Sequence, residues 1–292
     1  MHFTGRTWRP PYEAYSVIIQ ATSGCTYNKC RFCSLYREEC FRMSPMSEFE
    51  EDLAEIKSYQ PNARRIFWTG ANPFAMSYEN LKLRALTTRD YLIKCQSMAM
   101  FASIRDIKSK SVHQLQKLHA MGINGLSIGT ESGDNETLIL TNKGYTAEDI
   151  VEQCNKLDEA GIVYSFVYMT GLAGKGNGQR NAIKSAKIFN QLNPYFLSID
   201  SLTLFPDTDL HAWSKSNKFA PASEHERIEE LITLLEKLQI RTHLQADTKS
   251  NFKPLSGTLP YDKSRIIGEL SYALKTASEQ EMLDYRNSLS TL

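Results

Sequence analysis

Three cysteines fall within nine residues: Cys25, Cys30 and Cys33, in Ala21-Thr-Ser-Gly-Cys-Thr-Tyr-Asn-Lys-Cys-Arg-Phe-Cys33. The spacing is C-x4-C-x2-C. Three thiolates on one short loop can hold a metal centre, and three is one short of a closed four-coordinate shell. A [4Fe–4S] cluster held by three cysteines keeps one iron with a free position, where a small molecule can be bound and activated. Such a loop is a site for chemistry more than for structure. Two other readings exist, a structural zinc site and an electron-carrier cluster, and both need a fourth ligand. Cys40 is the nearest thiol in sequence. His2, His113, His119, His211, His225 and His243 all lie far from the triplet. Cys154 shares a helical stripe with Ile150, Val151 and Leu157, which makes it a packed core thiol, and Cys95 has a similar apolar context.

The bulk of the chain narrows the setting. Its 292 residues, 41% of them hydrophobic, suffice for one large buried core. A net charge of +1 gives no general attraction to nucleic acid or to a membrane surface. No run approaches the ~20 apolar residues of a membrane span, and the first residues lack an apolar signal core. Six cysteines in this length are not a disulfide framework. These features predict a cytoplasmic protein with no membrane partner.

Something must position the triplet. Short β-type runs at 16–20, 65–68, 97–102, 125–129, 163–169 and 196–204 alternate with helical patterns at 46–58, 78–92, 111–121, 147–160, 180–192 and 224–238. Thr146 with Glu148 and Asp149 opens the helix at 147–160, and Gly161 closes it. Repeated strand-then-helix units predict an α/β fold with a parallel sheet and right-handed crossovers. The alternation breaks after about residue 240, so residues 1–240 are read as one core, with 1–15 leading into the first strand. Residues 241–292 are read as a C-terminal extension that covers the site, with a helix at 262–274. In such folds ligands bind at the C-terminal ends of the strands. Each predicted strand is indeed followed by a polar or Gly-rich turn: the triplet, Thr69–Pro73, Ser103–Arg105, Thr130–Gly133, Thr170–Gly174 and Phe205–Asp209.

This ordered set resembles the radical S-adenosylmethionine (radical SAM) superfamily over roughly residues 10–210. The likeness rests on the triplet with the aromatic Phe32 before its last cysteine and on Gly70-Ala71-Asn72-Pro73 after the second strand. It also rests on Gly129-Thr-Glu131-Ser132-Gly133, Asn142-Lys143-Gly144 and Gly171-Leu-Ala-Gly174. The resemblance implies a partial (β/α)6, TIM-like barrel. It implies a [4Fe–4S] cluster on Cys25, Cys30 and Cys33, and reductive cleavage of S-adenosylmethionine to a 5′-deoxyadenosyl radical that abstracts hydrogen from a substrate. It implies that Phe32, Gly70, Ala71, Asn72, Ser103, Arg105, Glu131, Ser132, Lys143 and Gly171 bind the cofactor. Among them Glu131 is the hydroxyl acceptor, and Lys143 or Arg105 is the partner of the methionine carboxylate. An electron donor such as ferredoxin or flavodoxin is implied as a partner, with a small-molecule or peptide substrate. No RNA-binding, cobalamin-binding or auxiliary-cluster module is discernible, so nucleic acid is not expected. Two departures stand out: one extra residue between Cys25 and Cys30, and Asn72 where an acidic residue is common. His243 with Asp247 is a candidate acid/base pair.

Overall fold

The computed structural model describes residues 1–289. Their contacts divide these residues into two interleaved units: 1–28, 35–129 and 153–164 in the first, and 29–34, 130–152 and the described residues from 165 onward in the second.

In the first unit, β1 (Val17–Gln20) leads into a small antiparallel ribbon of β2 (Thr22–Ser23) and β3 (Arg42–Met43). That ribbon pinches off the chain between its two strands, and the cysteines lie inside the pinched segment. Helix α1 (Met46–Tyr59) follows, then β4 (Arg65–Thr69), α2 (Tyr78–Tyr91), β5 (Ser97–Ala102), the short α3 (Ile104–Lys108), α4 (Val112–Ala120) and β6 (Ile123–Glu131). The main strands pair in parallel, with Ile19 opposite Trp68, Phe67 opposite Ala99 and Phe101 opposite Ser127. Ile66, Phe67 and Trp68 are buried in succession, the mark of a strand covered on both faces. Helix α1 supplies one cover. It buries Phe49, Leu53 and Ile56, and sets Phe49 edge-on to Trp68 at 5.8 Å. At the end of β4, Gly70 has φ +131°, and a Cβ there would sit 2.5 Å from the Thr22 carbonyl oxygen. Only glycine lets this turn close on the ribbon that frames the cysteine loop.

The second unit holds α5 (Asn135–Leu140), the first turns of α6 (Ala147–Ala160), β7 (Tyr164–Thr170), α7 (Gly178–Phe189), β8 (Phe196–Ser201), α8 (Asp209–Lys215) and α9 (Glu224–Lys237). After these come β9 (Thr242–Ala246), β10 (Leu255–Leu259), α10 (Lys263–Thr276) and α11 (Glu279–Asn287). Met169 of β7 pairs in parallel with Asp200 of β8, and Leu197 of β8 with Leu244 of β9. Helix α9 starts with a capping box, in which the Glu226 amide donates to Ser223 Oγ and the Ser223 amide to Glu226 Oε2.

The result is α/β with an eight-stranded, mostly parallel sheet ordered β1-β4-β5-β6-β7-β8-β9-β10; among the described residues no pairing of β1 with β10 closes it. The six predicted strands are all present. Residues 242–259 differ from expectation: they extend the sheet by β9, parallel to β8, and β10, antiparallel to β9. Ser256, Gly257 and Pro260 make 255–260 read as a turn-rich stretch, but Leu255–Leu259 is strand β10, held by its pairing with β9, and 247–254 connect the two strands. No helix among the described residues is long and apolar enough to cross a membrane.

Candidate active site

Cys25 follows β2. Its Sγ accepts from the Asn28 amide at 3.4 Å, and Asn28, at φ +48°, donates its side-chain amide to the Tyr36 carbonyl. Gly24 packs against the backbone of Cys40, whose own side chain is exposed. Asn72 is buried at 4% exposure. Its Oδ1 accepts from the Thr26 amide at 3.2 Å, and its Nδ2 donates to Thr26 Oγ1 at 2.6 Å. The same Nδ2 donates to both oxygens of Asp106, at 3.2 and 3.1 Å. Asp106 in turn accepts from the Ser103 amide at 2.7 Å, closing the capping box of α3. Arg105 stacks its guanidinium on Tyr27, 3.4 Å from the ring centroid. So Asn72, Ser103 and Arg105 gather around the first half of the cysteine loop, and the Asn72 side chain is fully engaged there. Ala71 beside it is half-buried.

Lys110 completes this group. Its ammonium donates to the carbonyls of Phe74 (2.8 Å) and Asp106 (3.0 Å) and to Ser109 Oγ. Burial lowers it from the ordinary lysine value to about 8, against the pull of Asp106. The unfolded chain, with an ordinary lysine near pH 10.5, therefore holds more protons between pH 8 and 10.5. The Lys110 contribution to stability rises across that window. Urea melts of the wild type and of Lys110→Met at several pH values check this: the rise flattens in the variant.

In the second unit the other half of the loop is tied down by its backbone. The Arg31 amide donates to the Thr141 carbonyl (3.0 Å) and the Arg31 carbonyl accepts from the Leu210 amide (3.0 Å). The Asn142 side chain donates to the Lys29 carbonyl at 2.9 Å, and the Arg31 guanidinium lies over Trp213. Phe32 packs against the apolar cluster of Leu172, Leu202, Leu210 and Phe219. Lys143 lies over the Phe32 ring at 5.5 Å, and its Nζ is 3.5 Å from Glu131 Oε1. Burial works against its charge, but Tyr145, Glu131 and Cys30 outweigh that and hold the ammonium above its ordinary value.

Glu131 ends β6 at φ +62°, a strained conformation for a residue with a side chain. Burial raises its carboxyl while Lys143 opposes the rise, and Asp200 adds to it. Its Oε2 is buried and accepts no hydrogen bond. A buried acceptor without a partner is costly, and it marks the place where a donor belongs. Ser132 is otherwise engaged: its Oγ donates to Asn181 Oδ1 and accepts from the Asp134 amide at 2.9 Å. Gly171, at φ +76°, gives its amide to Glu230 Oε2 at 2.7 Å, and the space over its Cα is filled by Arg227. His243 does not pair with Asp247. Its Nδ1 meets Thr258 Oγ1 at 3.0 Å, and its ring packs on Tyr195 and Phe196.

Residue reasoning passed over Asp106, Glu230 and Arg227. Asp106 was findable as the third position of a Ser-x-x-Asp capping box after Ser103. Glu230 and Arg227 sit on one face of a regular helix, and nothing in the local sequence separates them from surface charges.

The donor set fits an iron–sulfur centre with one exchangeable position. None of the three loop cysteines is in a disulfide, and the second unit holds a buried carboxylate acceptor beside an ammonium. Among the described residues no three His, Cys, Asp or Glu side chains, the loop cysteines included, are grouped around a single point.

A mostly parallel α/β sheet with a three-cysteine loop after its first strand defines a class of cofactor-dependent enzymes. The chain belongs to the radical SAM superfamily, whose family model matches residues 19–185. Enzymes of this family use a [4Fe–4S] cluster and S-adenosylmethionine as cofactors, and this chain carries the family's domain. It is 28% identical over 127 residues to a tRNA uridine(34) acetyltransferase of Methanocaldococcus infernus, covering 41% of this chain and 22% of that protein. Its fold is similar to a radical S-adenosylmethionine methyltransferase of Kitasatospora setae solved with cobalamin and a [4Fe–4S] cluster bound. That match has TM-score 0.54 and 18% identity, over 66% of this chain and 38% of the other. It is also similar to coproporphyrinogen III oxidase of Escherichia coli, a radical SAM enzyme, at TM-score 0.54 and 16% identity over 74% and 50%. The chain spans half or less of the length of each of these relatives.

Proposed function

We propose that Cys25, Cys30 and Cys33 hold the cluster, and that Glu131 and Lys143 receive S-adenosylmethionine for hydrogen abstraction from a small polar or peptide-like substrate. When bound, these cofactors supply a one-electron reduction that breaks the S–C5′ bond and yields the 5′-deoxyadenosyl radical. Glu131 carries the reading: a strained, buried carboxylate whose Oε2 has no hydrogen-bond donor of its own. It accepts a cofactor hydroxyl. Lys143, an ammonium beside it whose charge Glu131 and Cys30 favour, would pair with the methionine carboxylate. Phe32 supplies apolar packing, Gly70 and Ala71 supply main-chain groups, and Ser103, Arg105, Ser132 and Gly171 keep the surrounding turns in place.

Asp200 supports a polar substrate. Thr248 and Ser250 both donate to its Oδ1, at 2.7 and 3.3 Å, the only hydrogen bonds to its carboxylate among the described residues. Residues beyond 240 thus brace this carboxylate and serve as an extension of the 1–240 core. The electron comes from a ferredoxin- or flavodoxin-type donor in a reducing cytoplasm. The tRNA-modifying relative raises a nucleic-acid substrate, but the match covers 22% of that protein, and a net charge of +1 offers phosphates no general attraction. The test is anaerobic incubation with S-adenosylmethionine, reductant and fractionated cell extract in D2O. A small-molecule fraction that stimulates 5′-deoxyadenosine formation supports the reading, and stimulation confined to RNA fractions contradicts it.

A further inference from the structure

The departure at Asn72 carries a second message. Its amide is not spare: both hydrogens and the oxygen are spent on Thr26 and Asp106. Thr26 is the residue next to Cys25. Asp106 is the third residue of α3, and the same short helix sends Arg105 onto Tyr27, inside the four-residue span between Cys25 and Cys30. Lys110, just past the helix, anchors it to the Phe74 carbonyl of the turn that carries Asn72. One rigid element therefore holds both the turn and the loop.

The chemistry of the pair explains the residue type. A carboxylate at position 72 would face the Asp106 carboxylate at about the 3.1 Å now spanned by the amide. Two like charges at that distance cannot both ionise cheaply. The acid sits on α3, so the turn must present a donor, and asparagine is the isosteric donor.

We infer that Asp106 is a positioning residue: through Asn72 it fixes the Cys25 end of the cysteine loop, and Asn72 serves this relay instead of contacting S-adenosylmethionine. The extra residue of the C-x4-C spacing lies in the span that this relay and the Arg105–Tyr27 stack brace. The inference rests on the radical SAM reading for its consequence, but not for its geometry.

The test is a reciprocal exchange. Asn72→Asp sets two carboxylates together; Asp106→Asn sets two amides together; the double exchange restores one acid facing one amide, with every bond remakeable. In the protein without cluster, hydrogen exchange of the Thr26 amide reports the relay alone. In reconstituted enzyme at pH 8, iron loss to EDTA and the cluster midpoint potential report its effect on Cys25. Each single variant is expected to speed both Thr26 exchange and iron loss roughly tenfold, as for loss of one hydrogen bond to a charged group, and to shift the potential. The double variant returns all three to wild type. Thr26→Val, which keeps the loop apolar and compact, should speed iron loss in the same direction. The inference is overturned if the double variant is no better than the worse single, or if Asn72→Asp tightens S-adenosylmethionine binding with iron loss unchanged. Failure of the wild type to take up iron at all would instead sink the functional reading, leaving the Thr26 exchange result intact.

Discussion

Cys30→Ala is expected to lose the cluster and with it all measurable cleavage of S-adenosylmethionine. Alanine offers no electron pair to iron, and a cluster with two thiolates has two irons open to solvent and hydrolysis. The expected fall in cleavage exceeds a thousandfold, which is about 4 kcal/mol or more of lost transition-state stabilisation. Misfolding is not the explanation. The loop at this point is held by its backbone, through the Arg31 amide to Thr141 and the Arg31 carbonyl to Leu210, and neither bond uses the Cys30 thiol. A circular dichroism melt of the variant near that of wild-type protein without its cluster would show this. Cys40→Ala provides the contrast: its side chain is exposed, and iron content and cleavage stay at wild-type levels. Iron analysis and 5′-deoxyadenosine yield on the two variants decide the ligand set, and retention of both in Cys30→Ala refutes it.

Glu131→Gln should be the most damaging conservative change in the second unit. It keeps the shape of the side chain and removes its charge. Lys143, 8% exposed, then loses its carboxylate partner. Breaking a buried pair from one side costs about 3–5 kcal/mol, and the 3.5 Å separation puts this pair at or below the bottom of that range. The cofactor loses a charged acceptor as well. A hydrogen bond to a charged group is worth about 1.5–3 kcal/mol, so S-adenosylmethionine binding weakens roughly 10- to 150-fold. Iron content does not change, because no loop cysteine is bonded to Glu131. Equilibrium binding on the reconstituted variant, beside its iron content, checks both halves. Unchanged affinity would remove Glu131 from the site.

The strands and long helices were legible because their patterns are local. Ile66-Phe67-Trp68 reads as a strand buried on both faces, and Phe49, Leu53 and Ile56 as one helical stripe. The helix at 147–160 carries its own start and stop. The cysteine triplet needed no fold at all to be noticed. What stayed hidden depends on contacts distant in sequence. Residues 242–246 become a strand only because β8 offers an edge, and α3, α5 and α8, of five to seven residues, give too few turns for a period to show. Ser132 and Gly171 read as cofactor groups because they are small and follow strands, and their hydrogen-bond partners are not legible beside them. Their partners, Asn181, Glu230 and Arg227, lie 49 to 59 residues away or on an ordinary helix face. Asn72 reads as a cofactor contact from its turn alone, and its bonds to Asp106, 34 residues away, leave no mark in the local sequence.

One measurement tests the central claim most directly. Wild-type protein is reconstituted anaerobically with iron and sulfide, given S-adenosylmethionine, and reduced with dithionite. The account predicts about four irons per chain and formation of 5′-deoxyadenosine with methionine. Full iron loading with S-adenosylmethionine left intact would contradict it.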